Sequence, residues 1–219
     1  MAGAGPVVTK TIVGINVAVF LLTMSGSSLS LTGSGNSELQ AKLALYGPAI
    51  SQNHELYRLV TSGFIHYGIM HIAFNMVILY RFGELLEPAL GGVRLACLYT
   101  ASLLCGSFGA LLLSPHALTG GASGAVFGLI AAAAIGLHQR GVNVWQSGVG
   151  GLIVVNLVLT FAIPGISIGG HLGGLAGGFC CGAFMLRVPT TRRSVVDGAL
   201  VAGILSALAV AGSIWVAGR

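Results

Sequence analysis

The chain has 219 residues, of which 55% are hydrophobic and only 7% charged, with a formal net charge of +5 and a mean hydropathy of +0.93. Those proportions exclude a soluble domain and describe an integral membrane protein. The positive balance is read as membrane topology, and no nucleic-acid partner is expected.

A hydrocarbon slab about 30 Å thick needs roughly 20 apolar residues per helix. Stretches of that kind fall at 8–24, 67–86, 92–114, 121–138, 145–163, 168–187 and 195–217, so seven transmembrane helices are predicted in a single all-α polytopic domain over 1–219. The segments are apolar on every face, whereas barrel strands alternate polar and apolar residues.

The first segment has the outline of a cleavable signal, because Lys10 precedes a short apolar run ending near Met24. Nothing like Ala-x-Ala follows it, so it is read as a membrane anchor. The loop 25–65 comes next: 25–36 reads as a flexible, turn-rich stretch, and Leu39, Leu43 and Tyr46 recur at helical spacing beside Lys42. A short amphipathic interfacial helix is predicted there, with a plain soluble loop as the alternative.

Insertion retains basic residues on the cytoplasmic side. With the N-terminus inside, Lys10, Arg81, Arg94, Arg140, Arg187, Arg192 and Arg193 are cytoplasmic, while Lys42, Arg58 and Arg219 lie outside. Cys97, Cys105, Cys180 and Cys181 all fall in apolar segments and read as buried small hydrophobes.

Polar groups at membrane depth are functional candidates, since isolating them in lipid is costly. The second segment begins with His66, His71 and Asn75, the fourth with Ser123, and the sixth carries His171 in its first turn. All three entrances lie in the outer leaflet, which predicts one polar site open to the exterior. A serine hydroxyl is a weak nucleophile until a base removes its proton, and His171 can face the fourth segment. No Asp or Glu lies near the outer ends of the fourth and sixth segments, so the group that usually orients the imidazole is missing and packing is expected to hold His171. Gly174 and Gly178 are spaced as small-xxx-small below it, matched by Gly124 and Gly128, which lets the two backbones approach closely. For the oxyanion, Ser123 offers an unpaired N–H at a helix N-terminus, and His71 and Asn75 project from one helix face as further donors.

Gly121-Ala-Ser-Gly124, His66 with His71-x-x-x-Asn75, and His171-x-x-Gly174-x-x-x-Gly178 resemble the rhomboid intramembrane serine proteases. The resemblance extends to Tyr57-Arg58 and to Gly83-x-x-x-Glu87-x-x-x-Gly91, and covers roughly 8–187. It implies a six-helix rhomboid-like core over 8–187, with 195–217 as an additional seventh helix. It also implies Ser123 as nucleophile, His171 as general base, and His71, Asn75 and the Ser123 amide as the oxyanion hole. Gly121, Gly124, Phe127, His66, Gly174 and Gly178 would support them, with Phe127 standing where the family often has a Tyr ring against the histidine.

The implied activity is endoproteolysis of single-pass membrane proteins near the outer face, with lateral access between the second and fifth helices. The implied partners are a transmembrane substrate and the lipid bilayer. No cofactor is expected, and no metal, since HExxH is absent and no acidic ligand lies in the site. A transporter would continue its polar groups to the inner leaflet, and the third and fifth segments offer almost none. A catalytically inactive, client-binding relative is the alternative; such proteins usually lack the serine or the histidine, and this chain has both. A bacterial plasma membrane is expected from chain economy and the lack of a transit peptide.

Overall fold

The structure is a computed structural model that describes residues 5–24, 37–187 and 191–219. The turn-rich stretch 25–36 lies outside the described residues. The apolar segments appear as α1 (Val7–Met24), α5 (Ile69–Leu90), α6 (Gly92–Leu113), α7 (Ser123–Gln139), α8 (Val149–Ala162), α9 (Ile168–Met185) and α10 (Arg192–Ala217). Between α1 and α5 lie α2 (Glu38–Leu43), α3 (Gly47–Asn53), α4 (Arg58–Thr61) and a 3₁₀ turn, Ser62–Phe64.

Every predicted segment therefore coincides with a helix, and no strand is formed among the described residues. The helices α1, α5, α6, α9 and α10 are long and apolar enough to cross a membrane, whereas α7 and α8 have only 17 and 14 residues. At about 1.5 Å per residue those two reach about 25 Å and about 21 Å, short of a slab of about 30 Å. A helix that short begins or ends inside the slab.

Helix α6 is the centre of the bundle, touching α1, α4, α5, α7, α9 and α10. Its inner faces bury Leu95, Leu98, Tyr99, Ala101, Leu104 and Leu111, the main apolar core. α9 fits between α6 and α7, and α10 covers the other side of α6. α8 packs mainly on α7 and α9 and buries only Val149, Gly150 and Thr160.

The first loop is helical, but not as one element. α2 contains Leu39 and Leu43, whereas Tyr46 is the residue before α3. The chain breaks at Ala44, which is extended, because Leu45 pairs with Thr119 through hydrogen bonds of 2.8 and 3.0 Å. Pro48 then enters the first turn of α3, where its missing N–H has no helical partner to lose. Arg58 fixes the fold of the loop by donating from Nη1 to the carbonyls of Ala41 and Ala44, 2.7 Å each, while pairing with Glu55. That pairing holds the Glu55 carboxyl below the ordinary carboxylate range.

At the opposite end, Glu87 of α5 caps α1, accepting from Val8 N at 2.9 Å, Thr9 N at 2.8 Å and Thr9 Oγ1 at 2.6 Å. The donors are among those a helix leaves unpaired at its N-terminus, so α1 is tied into the bundle at its first turn. Glu87→Ala strands all three and is expected to cost about 1–3 kcal/mol in detergent unfolding. An unchanged unfolding midpoint would remove this cap from the account of why α1 is held.

The thiols depart from the expectation. Cys181 is buried, Cys97 and Cys105 are half-buried and Cys180 is exposed, on the faces of α6 and α9 that the seven-segment reading could not orient.

Candidate active site

Ser123 is the first residue of α7, with Ala122 before it, so its backbone N–H has no intrahelical acceptor. The strand of chain leading to it is anchored three times: Gly47 N donates to Pro115 O at 2.8 Å, Thr119 N to Leu45 O at 3.0 Å, and Gly121 N to Ser62 O at 2.9 Å. The first loop thus carries the serine's approach. Gly121 has φ of +137°, a backbone conformation that favours glycine.

Around Gly121 two polar groups meet. A Cβ placed there would stand 2.8 Å from His71 Nε2 and 3.6 Å from Ser123 Oγ, so the imidazole of α5 and the hydroxyl of α7 flank the same bare backbone. Asn75, one turn below His71, is buried and donates from Nδ2 to His71 O at 2.9 Å. One of its two amide protons is therefore spent on its own helix.

His171 sits in the first turn of α9, close to the start of α7. Its ring stacks on Phe127 with centroids 4.2 Å apart and planes 20° from parallel. The approach is made by glycine surfaces: a Cβ at Gly174 would collide with the Gly124 backbone, and one at Gly178 with Gly128. Gly106 of α6 completes the junction, because a Cβ there would stand 3.2 Å from Gly124 Cα and 3.0 Å from Gly170 O. Gly124 and Gly170 are the chain neighbours of Ser123 and His171, so the three helices bring those residues to one end of the bundle.

His66 is not in the second apolar helix, as its segment had suggested, but in the turn before α5, which starts at Ile69. The chain stays non-helical there because Gln40 Nε2 of α2 donates to His66 O at 3.0 Å. The His66 ring is fully buried, lies edge-on to His71 with centroids 5.0 Å apart, and pairs Nδ1 with Phe64 O at 3.3 Å. Burial pushes its imidazole down to about 3, with His71 acting in the same direction, so it stays neutral in ordinary buffers.

One residue of the constellation escaped the sequence. His171 Nδ1 lies 2.7 Å from Thr160 Oγ1 of α8, so a hydroxyl joins the packing expected to hold the ring alone. The fifth segment had been read as nearly free of polar groups, yet it supplies Thr160, 2% exposed, and Asn156 one turn before it. A threonine four residues after an asparagine in a valine- and leucine-rich helix was the available signal, though its direction was not legible.

Comparison with known proteins bears on the family of the chain. A family model described as Rhomboid domain matches residues 53–188. The chain is 31% identical over 182 residues to rhomboid protease GluP of Bacillus subtilis, covering 81% of this chain and 34% of that protein. It is 30% identical to the mitochondrial RHOMBOID-like protein 6 of Arabidopsis thaliana, covering 83% of this chain and 69% of the relative. It is also 30% identical to the inactive RHOMBOID-like protein 8 of the same plant, over 74% of this chain and 48% of the relative. The chain thus spans about a third of the length of the Bacillus protein.

Proposed function

The chain belongs to the rhomboid family, and from that premise we propose that it is an intramembrane serine endopeptidase acting through Ser123 and His171. The observation that carries the reading is the meeting of three helix beginnings at one end of an apolar bundle. These are Ser123 at the start of α7, His71 beside it at Gly121, and His171 stacked on Phe127 one turn below the serine.

In this reading Ser123 Oγ attacks a peptide carbonyl while its proton passes to His171 Nε2. The new oxyanion receives the Ser123 N–H, His71 Nε2–H and the amide proton that Asn75 keeps free. His171 then gives its proton to the leaving amine, and water repeats the sequence on the acyl-enzyme. Gly121 leaves room for His71, Gly124, Gly174 and Gly178 set the distance between α7 and α9, and His66 backs His71 with a neutral ring. A helix as short as α7 leaves room for its serine to lie recessed below the surface, within reach of a single-pass substrate's chain. The short, lipid-facing α8 supports lateral access, and the distribution of basic residues supports an exterior-facing site with the N-terminus inside.

The competing reading is a protein that holds membrane clients without cutting them, favoured by the inactive relative among the similar proteins. Ser123 and His171 are both present here, which weighs for the protease. The deciding experiment is cleavage of a tagged single-pass substrate in liposomes by the wild type and by His71→Ala and Asn75→Ala. Each variant is expected to cleave about 10²–10³ more slowly, the loss measured elsewhere for one oxyanion donor. Equal turnover in all three would remove both residues from the site, and a folded wild type that never cleaves would favour client binding.

A further inference from the structure

A histidine base needs its lone pair on the nitrogen that faces the nucleophile, and a neutral imidazole has two tautomers. A carboxylate usually decides between them by accepting from the far nitrogen. None of the five acidic residues of this chain lies on α7, α8 or α9, since they are Glu38, Glu55, Glu84, Glu87 and Asp197.

Two distances on one oxygen bear on the choice instead. Thr160 Oγ1 is 2.6 Å from Asn156 O and 2.7 Å from His171 Nδ1. A hydroxyl has one proton, and a carbonyl can only accept. The proton of Thr160 therefore goes to Asn156 O, and Oγ1 is left as acceptor toward Nδ1. A threonine in a helix commonly bonds the carbonyl four residues back, which locks its χ1. Thr160 and His171 are only 2% and 8% exposed, so the contact between them is shielded from bulk water.

We propose that Thr160 is the positioning residue of the base: it accepts the Nδ1 proton of His171 and so keeps the Nε2 lone pair directed away from α8, for Ser123. The inference rests on the serine–histidine reading above. During attack Nε2 takes the Ser123 proton, the ring becomes an imidazolium, and the Nδ1–H bond to Thr160 strengthens because its donor is now charged. No proton reaches Thr160. Since Thr160 is the one polar group that α8 buries among the described residues, seating of α8 and readiness of the base go together. Moving α8 outward takes the acceptor from the ring.

The test compares wild type, Thr160→Val, Thr160→Ser and Ser123→Ala, each purified in detergent and reconstituted in liposomes. Valine keeps the shape of threonine and loses the acceptor, so kcat and the rate of fluorophosphonate labelling are expected to fall about tenfold with KM unchanged, the scale of one neutral hydrogen bond. Serine restores the acceptor and is expected to return within about threefold of wild type. A second reading is independent of activity: ¹⁵N spectra of histidine-labelled wild type are expected to show His171 protonated on Nδ1, and Thr160→Val a mixture.

Equal labelling of wild type and Thr160→Val, a serine variant as slow as valine, or an Nε2-protonated wild type would each overturn the inference and leave the dyad standing. Labelling of Ser123→Ala, or none of wild type, would overturn the dyad instead, and the tautomer spectrum would still decide the role of Thr160.

Discussion

Ser123→Ala is expected to abolish cleavage of a reconstituted single-pass substrate, with a loss near 10⁶ in kcat, and to leave the unfolding midpoint unchanged. The magnitude follows from the chemistry assigned to the hydroxyl: without it no acyl-enzyme forms, and a serine protease deprived of its nucleophile loses about that factor. The stability half follows from position. Ser123 is the first residue of α7 and only half-buried, so removing one oxygen opens no core cavity. His171→Ala is expected to reach the same floor, because residues that act as one unit do not lose rate additively. It should also loosen the bundle slightly, since it removes a ring stacked on Phe127. Measured turnover in Ser123→Ala above background would refute the nucleophile assignment, whatever the fate of the histidine.

Gly174→Ala is expected to lower kcat by about 10² or more, although residue 174 touches no substrate. The added methyl meets the backbone of Gly124, and backbone cannot turn aside as the end of a flexible side chain can. α7 and α9 must separate, at a cost typical of overpacking, about 1–3 kcal/mol. Separation moves His171 relative to Ser123, and a displacement of about 1 Å in a catalytic pair is enough for a loss of about 10². Gly203→Ala on α10 is the control, since nothing lies within 4 Å of a Cβ there, and it is expected to behave as wild type. If Gly174→Ala cleaves at the wild-type rate, close glycine contact is not what sets the pair.

Much of the fold was legible because the bilayer demands a long apolar run of each spanning helix, a local property of sequence. The ends were less so. α5 runs on to Leu90, past Glu87 and Pro88, where a reading by hydropathy stops at 86. α8 starts at Val149 rather than 145 because Gly148, at φ of +82°, makes a turn. α10 starts at Arg192 because Thr191 and Ser194 form a capping box that hydropathy does not register.

Of the candidate site, Ser123, His171, His71 and Asn75 stand out in the sequence because they are polar groups in apolar segments, and the glycine spacing points to the close approach of α7 and α9. What could not be read was rotation. Thr160 is a polar residue in a largely exposed helix, and only the arrangement of α8 against α9 shows that it meets His171 Nδ1. Tyr46 falls outside α2 for a similar reason: its helical spacing from Leu43 is real, but Leu45 pairs with Thr119, far along the chain, and that bond ends the helix.

The central claim is that Ser123 is an activated nucleophile. The most direct measurement is labelling of the detergent-purified protein with a fluorophosphonate, which reacts only with a serine whose proton has somewhere to go. Wild type is expected to label, and Ser123→Ala and His171→Ala are expected to remain unlabelled while unfolding at temperatures close to wild type. A folded wild type that takes no label, or a His171→Ala protein that labels as fast as wild type, would contradict it.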